Sequence, residues 1–138
     1  MDAIHEGRCH CGEVKFKAAG QSVLVEFCHC RSCRRLAGAP LMAWAAFEQD
    51  ALAIVEGSPT AYGSSPGVMR TFCGRCGTPL TLSDQRFPEE VYVALASFDN
   101  PEALPPEFHI WRSHRLSWLE TTDDLPRYTQ FKSDGVVE

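Results

Sequence analysis

The sequence contains little that would direct the protein to a membrane or to nucleic acid. Its longest apolar run, Leu41 to Phe47, has seven residues, whereas a membrane-spanning helix needs about 20. The first residues, Met1 to Glu6, have neither a basic region nor an apolar run, unlike a secretory signal peptide. Lys and Arg number 13 against 18 Asp and Glu, a net charge of −5, and a duplex-binding protein needs surplus cations. We therefore expect a cytoplasmic protein with no membrane or nucleic-acid partner.

The chain also lacks repeats, low-complexity tracts and long runs of like charge. Its length predicts a single domain, residues 1–138, with loose ends at Met1 to Glu6 and Lys132 to Glu138. Short segments separated by Gly and Pro predict a mainly β, antiparallel fold with one or two short helical turns. Only Arg31 to Leu36 resembles a helix, with Ser32 available as its N-cap. The strand candidates are 13–18, 23–27, 41–47, 52–55, 68–72, 79–82, 91–97 and 108–111.

Cysteine is the unusual residue, with seven copies in 138 positions. An odd number leaves one thiol over in a fully paired disulfide framework. Disulfides also do not persist in the reducing compartment that we expect for this chain. The spacing of the cysteines therefore has to be explained by another chemistry, and metal binding is the first candidate.

Four cysteines form two close pairs, Cys9-x-Cys11 and Cys73-x-x-Cys76. Each pair can present two thiolates to one ion, and Gly12, Gly74 and Gly77 would let the backbone curl around it. Four thiolates complete a closed tetrahedral site, which for zinc is structural. The alternative is that Cys9 and Cys11 are small buried apolar residues, as free cysteines often are.

The remaining cysteines, Cys28, Cys30 and Cys33, lie within six residues. Three thiolates can hold one zinc and leave its fourth position open, as a catalytic site requires. Two other interpretations stay open at this point. A structural site could take a fourth ligand from His29, His109 or His114, or Cys30 and Cys33 could form a redox pair.

Charge favours a thiol as the ligand of an open site. Zinc with three thiolates carries net negative charge, so it is a poor generator of hydroxide compared with zinc held by neutral histidines. Arg31, Arg34 and Arg35 follow on the same segment and could hold the carboxylates of an acidic thiol. The alternative is that these arginines form a solvated basic face.

The order of these motifs resembles the glutathione-dependent formaldehyde-activating enzyme family, also called the centromere-protein-V domain family. The resemblance covers about residues 7–128 and implies an Mss4-like (β-tent) fold with sheets pinned by two zinc ions. It implies that one set of cysteines holds a structural zinc and another a catalytic zinc. The matching segments are Cys9-His10-Cys11-Gly12, Cys28-His29-Cys30-Arg31-Ser32-Cys33-Arg34, Arg70-Thr71-Phe72-Cys73-Gly74-Arg75-Cys76-Gly77-Thr78, and His109-Ile110-Trp111-Arg112-Ser113 with Trp118 and Asp124-Leu125-Pro126-Arg127-Tyr128.

The activity that the resemblance implies is a carbon–sulfur lyase reaction, the addition of glutathione or a similar thiol to formaldehyde or a related small aldehyde. The resemblance also assigns the zinc ligands. The structural zinc would be held by Cys9, Cys11, Cys73 and Cys76, and the catalytic zinc by Cys28, Cys30 and Cys33. The partners are thus a small-molecule thiol and an aldehyde, and a homodimer stays open.

Two alternatives come from other classes of protein. A non-catalytic binding module predicts a fourth protein ligand on the Cys28/Cys30/Cys33 metal and no pocket beside it. A thiol redox enzyme predicts a reversible disulfide within the triplet and no metal there. Aromatic residues give a further expectation: Trp44, Phe47, Trp111 and Trp118 could line a cleft, but in a small β domain they more often form the core.

Overall fold

The computed structural model describes residues 3–138, and Met1 and Asp2 lie outside the described residues. In this range the chain has ten strands, several short 3-10 turns and a single α-helix, α1 (Arg31–Ala37). No helix in residues 3–138 is long and apolar enough to cross a membrane. The strands are β1 (Ile4–Arg8), β2 (Lys15–Ala19), β3 (Leu24–Cys28), β4 (Met42–Glu48), β5 (Leu52–Glu56), β6 (Thr60–Ser65), β7 (Val68–Phe72), β8 (Pro79–Asp84), β9 (Glu90–Ala94) and β10 (Phe108–Ile110).

The strands pair into two sheets, which confirms the prediction of a mainly β fold. The smaller sheet has the order β1-β2-β5 and the larger has the order β10-β3-β4-β9-β8-β7-β6. Strand β10 runs parallel to β3, which departs from the antiparallel arrangement that we expected and that the other pairs adopt. Strands β9 and β10 consequently run in the same direction, and residues 95–107 supply the long crossover that parallel strands require.

The core between the two sheets is built on aromatic rings. Strand β2 buries Phe16 and Ala18 and exposes Lys17 between them, as its alternating sequence predicts. The Phe98 ring lies 5.2 Å from that of Phe16 and 5.9 Å from that of Phe47. Strand β1 approaches this core so closely that a Cβ at Gly7 would overlap the Phe16 ring and lie 2.7 Å from the Ser97 carbonyl oxygen. The absence of a side chain at Gly7 therefore allows the small sheet to close over the core.

The structure corrects the expectation of loose ends. Residues 4–6, expected to be irregular, begin strand β1. At the other end, Lys132–Asp134 forms a 3-10 turn, and Tyr128 makes a bridge to Val137. The Glu138 carboxylate also accepts a hydrogen bond from Arg112 at 3.0 Å. The C-terminal segment is thus attached to the large sheet along its length, and it forms part of the site described next.

Candidate functional site

The first cysteine cluster joins two loops that are distant in sequence. Cys9 and Cys11 follow β1, Cys73 and Cys76 follow β7, and the four Sγ atoms lie within 4.8 Å of one another. The Sγ of Cys11 is 3.6 Å from that of Cys9 and 3.8 Å from that of Cys73. Tetrahedral zinc with bonds of about 2.3 Å to sulfur places its ligands about 3.8 Å apart, whereas a disulfide needs about 2.05 Å. The spacing therefore fits four separate thiolates around one metal ion.

The two loops of this cluster have the same backbone design. The Cys9 N–H donates to the Val14 carbonyl at 3.0 Å, and the Cys73 N–H donates to the Thr78 carbonyl at 3.0 Å. Gly12 and Gly77 occupy corresponding places with φ of 82° and 83°, a conformation that costs glycine little. These turns bring the sulfurs of each loop to one side, as a metal site with two ligands from each loop requires.

The second cluster is formed by one short segment. Cys28 ends β3, Cys30 precedes α1, and Cys33 lies in the first turn of that helix. The three Sγ atoms lie within 4.8 Å of one another, and within residues 3–138 no histidine or carboxylate atom joins them at that distance. The Cys30 Sγ accepts a hydrogen bond from the Cys33 N–H at 3.3 Å. The helix is thus capped by a member of the cluster itself, and not by Ser32 as its sequence suggested.

A guanidinium group lies against the second cluster. Both terminal nitrogens of Arg70, on β7, lie 3.7 Å from the Cys33 Sγ. Hydrogen bonds from the Cys28 and Cys30 thiols, together with the charge of Arg70, lower the pKa of Cys33 to about 2. Hydrogen bonds with the same two neighbours and burial raise the pKa of Cys28. Without a metal, the cluster therefore favours negative charge at Cys33, the cysteine that Arg70 contacts.

The second cluster opens onto a cavity of about 710 Å³. Carboxyl groups of this cavity include Glu26 and Glu90, and its cations include Arg31, Arg70 and Lys132. Burial, followed by the charges of Cys33 and Glu90, raises the pKa of Glu26 to about 8. A smaller cavity of about 270 Å³ meets the first at Cys33, Trp44 and Arg70. The three sulfurs thus face a space of the size that small-molecule sites have, about 300–1,000 Å³.

Of the three histidines considered as a fourth ligand, His29 and His109 have other partners. His114 lines the large cavity outside the ligand distance of the cluster, and its Nδ1 has no hydrogen-bond partner among the described residues. The His29 Nε2 lies 2.8 Å from the His109 Nδ1, and the His109 Nε2 lies 3.0 Å from an Asp123 oxygen. Burial raises the pKa of the Asp123 carboxyl, but hydrogen bonds from His109 and Leu125 outweigh it and lower this pKa to about 2. An ionised Asp123 accepts the His109 Nε2–H, so the His109 Nδ1 accepts from His29. Burial and the nearby His109 lower the pKa of His29 to about 4, so this pair is neutral.

The three arginines of the Cys28–Cys33 segment have different surroundings. Arg31 lines the large cavity, whereas Arg35 does not. The Arg34 side chain donates to the carbonyl oxygens of His29 at 3.3 Å and His114 at 3.2 Å. Arg34 therefore ties the cysteine loop to the segment after β10, and Arg31 alone of the three reaches the cavity.

The aromatic residues also divide between core, cavity and surface. Trp44 and Trp111 line the large cavity, Phe47 lies in the core, and Trp118 is 69% exposed. The expectation that they belong to the core therefore holds for Phe47 and fails for Trp118. Trp44 combines burial with a cavity position, and its Nε1 has no hydrogen-bond partner among the described residues.

Several cavity residues were missed by the sequence analysis. Arg70 lies in a quoted motif but was given no role, and Glu26 lies two positions before Cys28 in a strand. Phe131 and Lys132 come from the segment that was expected to be loose. One signal for these residues was present in the sequence: Glu26 places a carboxylate between Val25 and Phe27 in a strand pattern, and a carboxylate buried in a strand is unusual. The other positions depend on strand order and on the path of the C-terminus.

Comparison with known proteins gives consistent results. The model of the family described as "Glutathione-dependent formaldehyde-activating enzyme" matches residues 4–114. A curated Halomonas elongata protein, named "Putative glutathione-dependent formaldehyde-activating enzyme", is 31% identical over 125 residues, which covers 83% of this chain and 79% of the relative. A crystal structure of a Rhodobacter sphaeroides protein is similar with a TM-score of 0.59 and 26% identity, and the match covers 68% of this chain and 87% of that one.

Proposed function

The chain belongs to the glutathione-dependent formaldehyde-activating enzyme family, and on that premise we propose that it is a zinc enzyme that adds a thiol to a small aldehyde. This is a reaction of the carbon–sulfur lyase class, with glutathione or a similar carboxylated thiol as one substrate. We propose that the protein is a single domain, residues 1–138. We place it in the cytoplasm because its metal ligands are thiols that must stay reduced.

Two zinc ions fit the two cysteine clusters. Cys9, Cys11, Cys73 and Cys76 would hold one ion with four sulfurs and leave no position for a substrate. Cys28, Cys30 and Cys33 would hold the second with three sulfurs beside the large cavity. When bound there, zinc would supply a positive centre that favours the thiolate form of an incoming thiol.

The reaction leaves only positioning and proton transfer to the protein. A carbon–sulfur bond forms between the thiol sulfur and the aldehyde carbon, and the π electrons of the C=O bond move to oxygen. That oxygen takes up one proton, and the thiol releases one, so no oxidant or reductant is needed. The buried Trp44 Nε1–H lines the cavity on the side of Cys33, whose pKa it helps to lower. It makes no closer hydrogen bond among the described residues, so it can turn to the oxygen on which charge develops.

Two cations of the cavity, one of which lies over the Phe108 ring with its Nζ 4.8 Å from the ring centre, have no anionic partner in the described part of the chain and could bind the substrate's carboxylates. Arg31 and Lys132 line the cavity and make no salt bridge among residues 3–138. Arg86, by contrast, already pairs with Asp84 at 2.6 Å. Glutathione carries two carboxylates, so Arg31 and Lys132 offer one cation for each, with charge-assisted hydrogen bonds.

The observation that carries this proposal is the three-sulfur cluster on the wall of a cavity. The non-catalytic alternative predicted a fourth protein ligand at this cluster and no pocket beside it. Within the described residues no such ligand is present, and the pocket is large. An enzyme that receives its fourth ligand from a substrate fits these features better.

The test is a calorimetric titration of the reduced, zinc-loaded protein with glutathione and with its analogue that has serine in place of cysteine. Both compounds can reach the cations, but only glutathione offers a soft sulfur donor. We expect glutathione to bind more tightly and the difference to disappear in Cys33→Ala. Arg35→Met, outside the cavity, is the control and should keep the difference. Equal binding of the two compounds, or no binding of glutathione at millimolar concentration, would remove this function.

A further inference from the structure

One wall of the large cavity is aromatic. Six ring-bearing residues other than histidine line it: Trp44, Phe87, Tyr92, Phe108, Trp111 and Phe131. The Phe131 ring lies 5.4 Å from that of Phe87 and 5.3 Å from that of Trp111, both edge to face. Aromatic rings at such distances attract one another in this orientation. Phe131 thus joins Phe87 and Trp111 into one connected surface, to which the Tyr92 ring adds through Phe87 at 6.4 Å.

This wall depends on the C-terminal segment. The family match ends at residue 114, whereas Phe131 lies beyond it. The segment is held in place by the Trp111 N–H, which donates to the Gln130 carbonyl at 3.0 Å, and by the Tyr128 N–H, which donates to the His109 carbonyl at 2.9 Å. Glu138 adds ion pairs to Arg112 at 3.0 Å and to Arg115 at 2.8 Å. The wall is therefore preformed, as small-molecule sites usually are.

The reactants of the family's name do not use such a surface. Formaldehyde has a single carbon, and glutathione is polar along its length and has no ring. Many polar groups of the cavity already have partners: Arg86 pairs with Asp84 at 2.6 Å, and the Tyr92 hydroxyl donates to Glu90 at 2.8 Å. The aromatic wall therefore has no counterpart in an adduct of glutathione with formaldehyde.

We propose that the aldehyde received by this site carries an aromatic ring, which packs against Phe131, Phe87 and Trp111. This inference rests on the proposed function and names the class of its second substrate. The thiol sulfur bonds to the carbonyl carbon of an aryl aldehyde, the π electrons pass to oxygen, and that oxygen gains one proton for the one that the thiol releases. The product is an aryl hemithioacetal whose carboxylates reach Arg31 and Lys132.

The test compares S-benzylglutathione with S-methylglutathione in calorimetric titrations of the zinc-loaded protein. Both thioethers lack a thiol, so their difference measures the ring alone. Burial of a ring of this size predicts at least about tenfold tighter binding of the benzyl compound. Phe131→Ala should reduce this preference to less than about threefold, because the wall loses the ring that joins Phe87 and Trp111. Trp118→Ala, an exposed aromatic residue of the same segment, is the matched control and should keep the preference.

Two further measurements keep the test decisive. Thermal melting shows whether Phe131→Ala has a folding defect. If it has one, Phe87→Leu replaces it as the test variant, because this change removes a ring from another part of the wall and should also reduce the preference for the benzyl compound. If glutathione binds but the benzyl and methyl compounds bind equally, the aromatic substrate is excluded and the proposed function stands. If no glutathione compound binds, both proposals fail.

Discussion

Replacement of Arg70 by methionine should weaken the second metal site without disturbing the first. The Arg70 guanidinium directs two nitrogens at the Cys33 Sγ, each at 3.7 Å, and its Nε donates to the Ser64 Oγ at 3.0 Å. Cys33 is buried, so its thiolate has little water to replace a lost partner. Methionine keeps much of the length of the side chain and removes the charge.

The expected magnitude follows from these contacts. A hydrogen bond to a charged group contributes about 1.5–3 kcal/mol. A simple Coulomb estimate for opposite charges about 4 Å apart gives about 4 kcal/mol at an effective dielectric constant of 20, an upper bound because solvent from the cavity screens the pair. Because Arg70 also contacts the Cys33 thiolate before zinc binds, this range is an upper limit, and a loss of at most about 1.5–3 kcal/mol corresponds to at most roughly 10- to 150-fold weaker binding of the second zinc.

The measurement is a zinc competition with a chromophoric chelator under reducing conditions, in which the two sites release metal separately. Arg70→Lys should fall between wild type and Arg70→Met, because lysine keeps the charge but not the planar fork. Arg35→Met removes the same charge from α1 outside the cavity and should leave both sites unchanged. Equal affinities of the second site in Arg70→Met and Arg35→Met would refute the reasoning.

Three further predictions concern the division of roles between the clusters, the packing at Gly7 and the contact between Asp123 and His109. Cys76→Ser should unfold or aggregate the chain while Cys33→Ala stays folded, because a structural zinc contributes about 10–16 kcal/mol against a net stability of about 5–15 kcal/mol; equal melting temperatures would contradict this. Gly7→Ala should cost about 1–3 kcal/mol by overpacking against Phe16, whereas Gly63→Ala, with open space around its Cβ, should cost little in the same denaturant titration. Asp123→Asn should lower stability by about 1.5–3 kcal/mol, because His109 loses a charged acceptor, and an unchanged unfolding midpoint would argue against an ionised Asp123.

Local patterning predicted eight of the ten described strands and missed β1 and β6, which bury almost no hydrophobic side chain. Strand β2 alternates buried and exposed residues and was predicted. In β1 the one fully buried residue is Gly7, and β6 is exposed along nearly all of its length at the edge of the large sheet. A method that searches for apolar periodicity finds no signal in such strands. Their place is set by pairing with β2 and β7 instead.

The cysteine motifs could be predicted because the members of each pair and of the triplet are close in sequence, whereas the cavity could not. Arg70 reaches Cys33 from β7, across a sheet in which β4, β9 and β8 separate β3 from β7. Phe131 reaches the cavity through hydrogen bonds of the C-terminal segment to residues after β10. Neither contact can be predicted from the local spacing of residues. The N-cap of α1 was also predicted wrongly, because a cysteine thiol, here that of Cys30, is outside the usual set of capping residues.

The contrast between the two clusters follows from how many chain segments supply the sulfurs. In the first cluster, two similar loops supply four thiols that would surround one metal ion on all sides. The second cluster has one segment, and extended backbone turns successive side chains to opposite sides. Cys28 and Cys30 therefore share a side, while His29 points away to His109 and Asp123. The turn into α1 returns only Cys33 to that side. The segment thus supplies three sulfurs, and the remaining side faces the cavity where a substrate would supply the fourth.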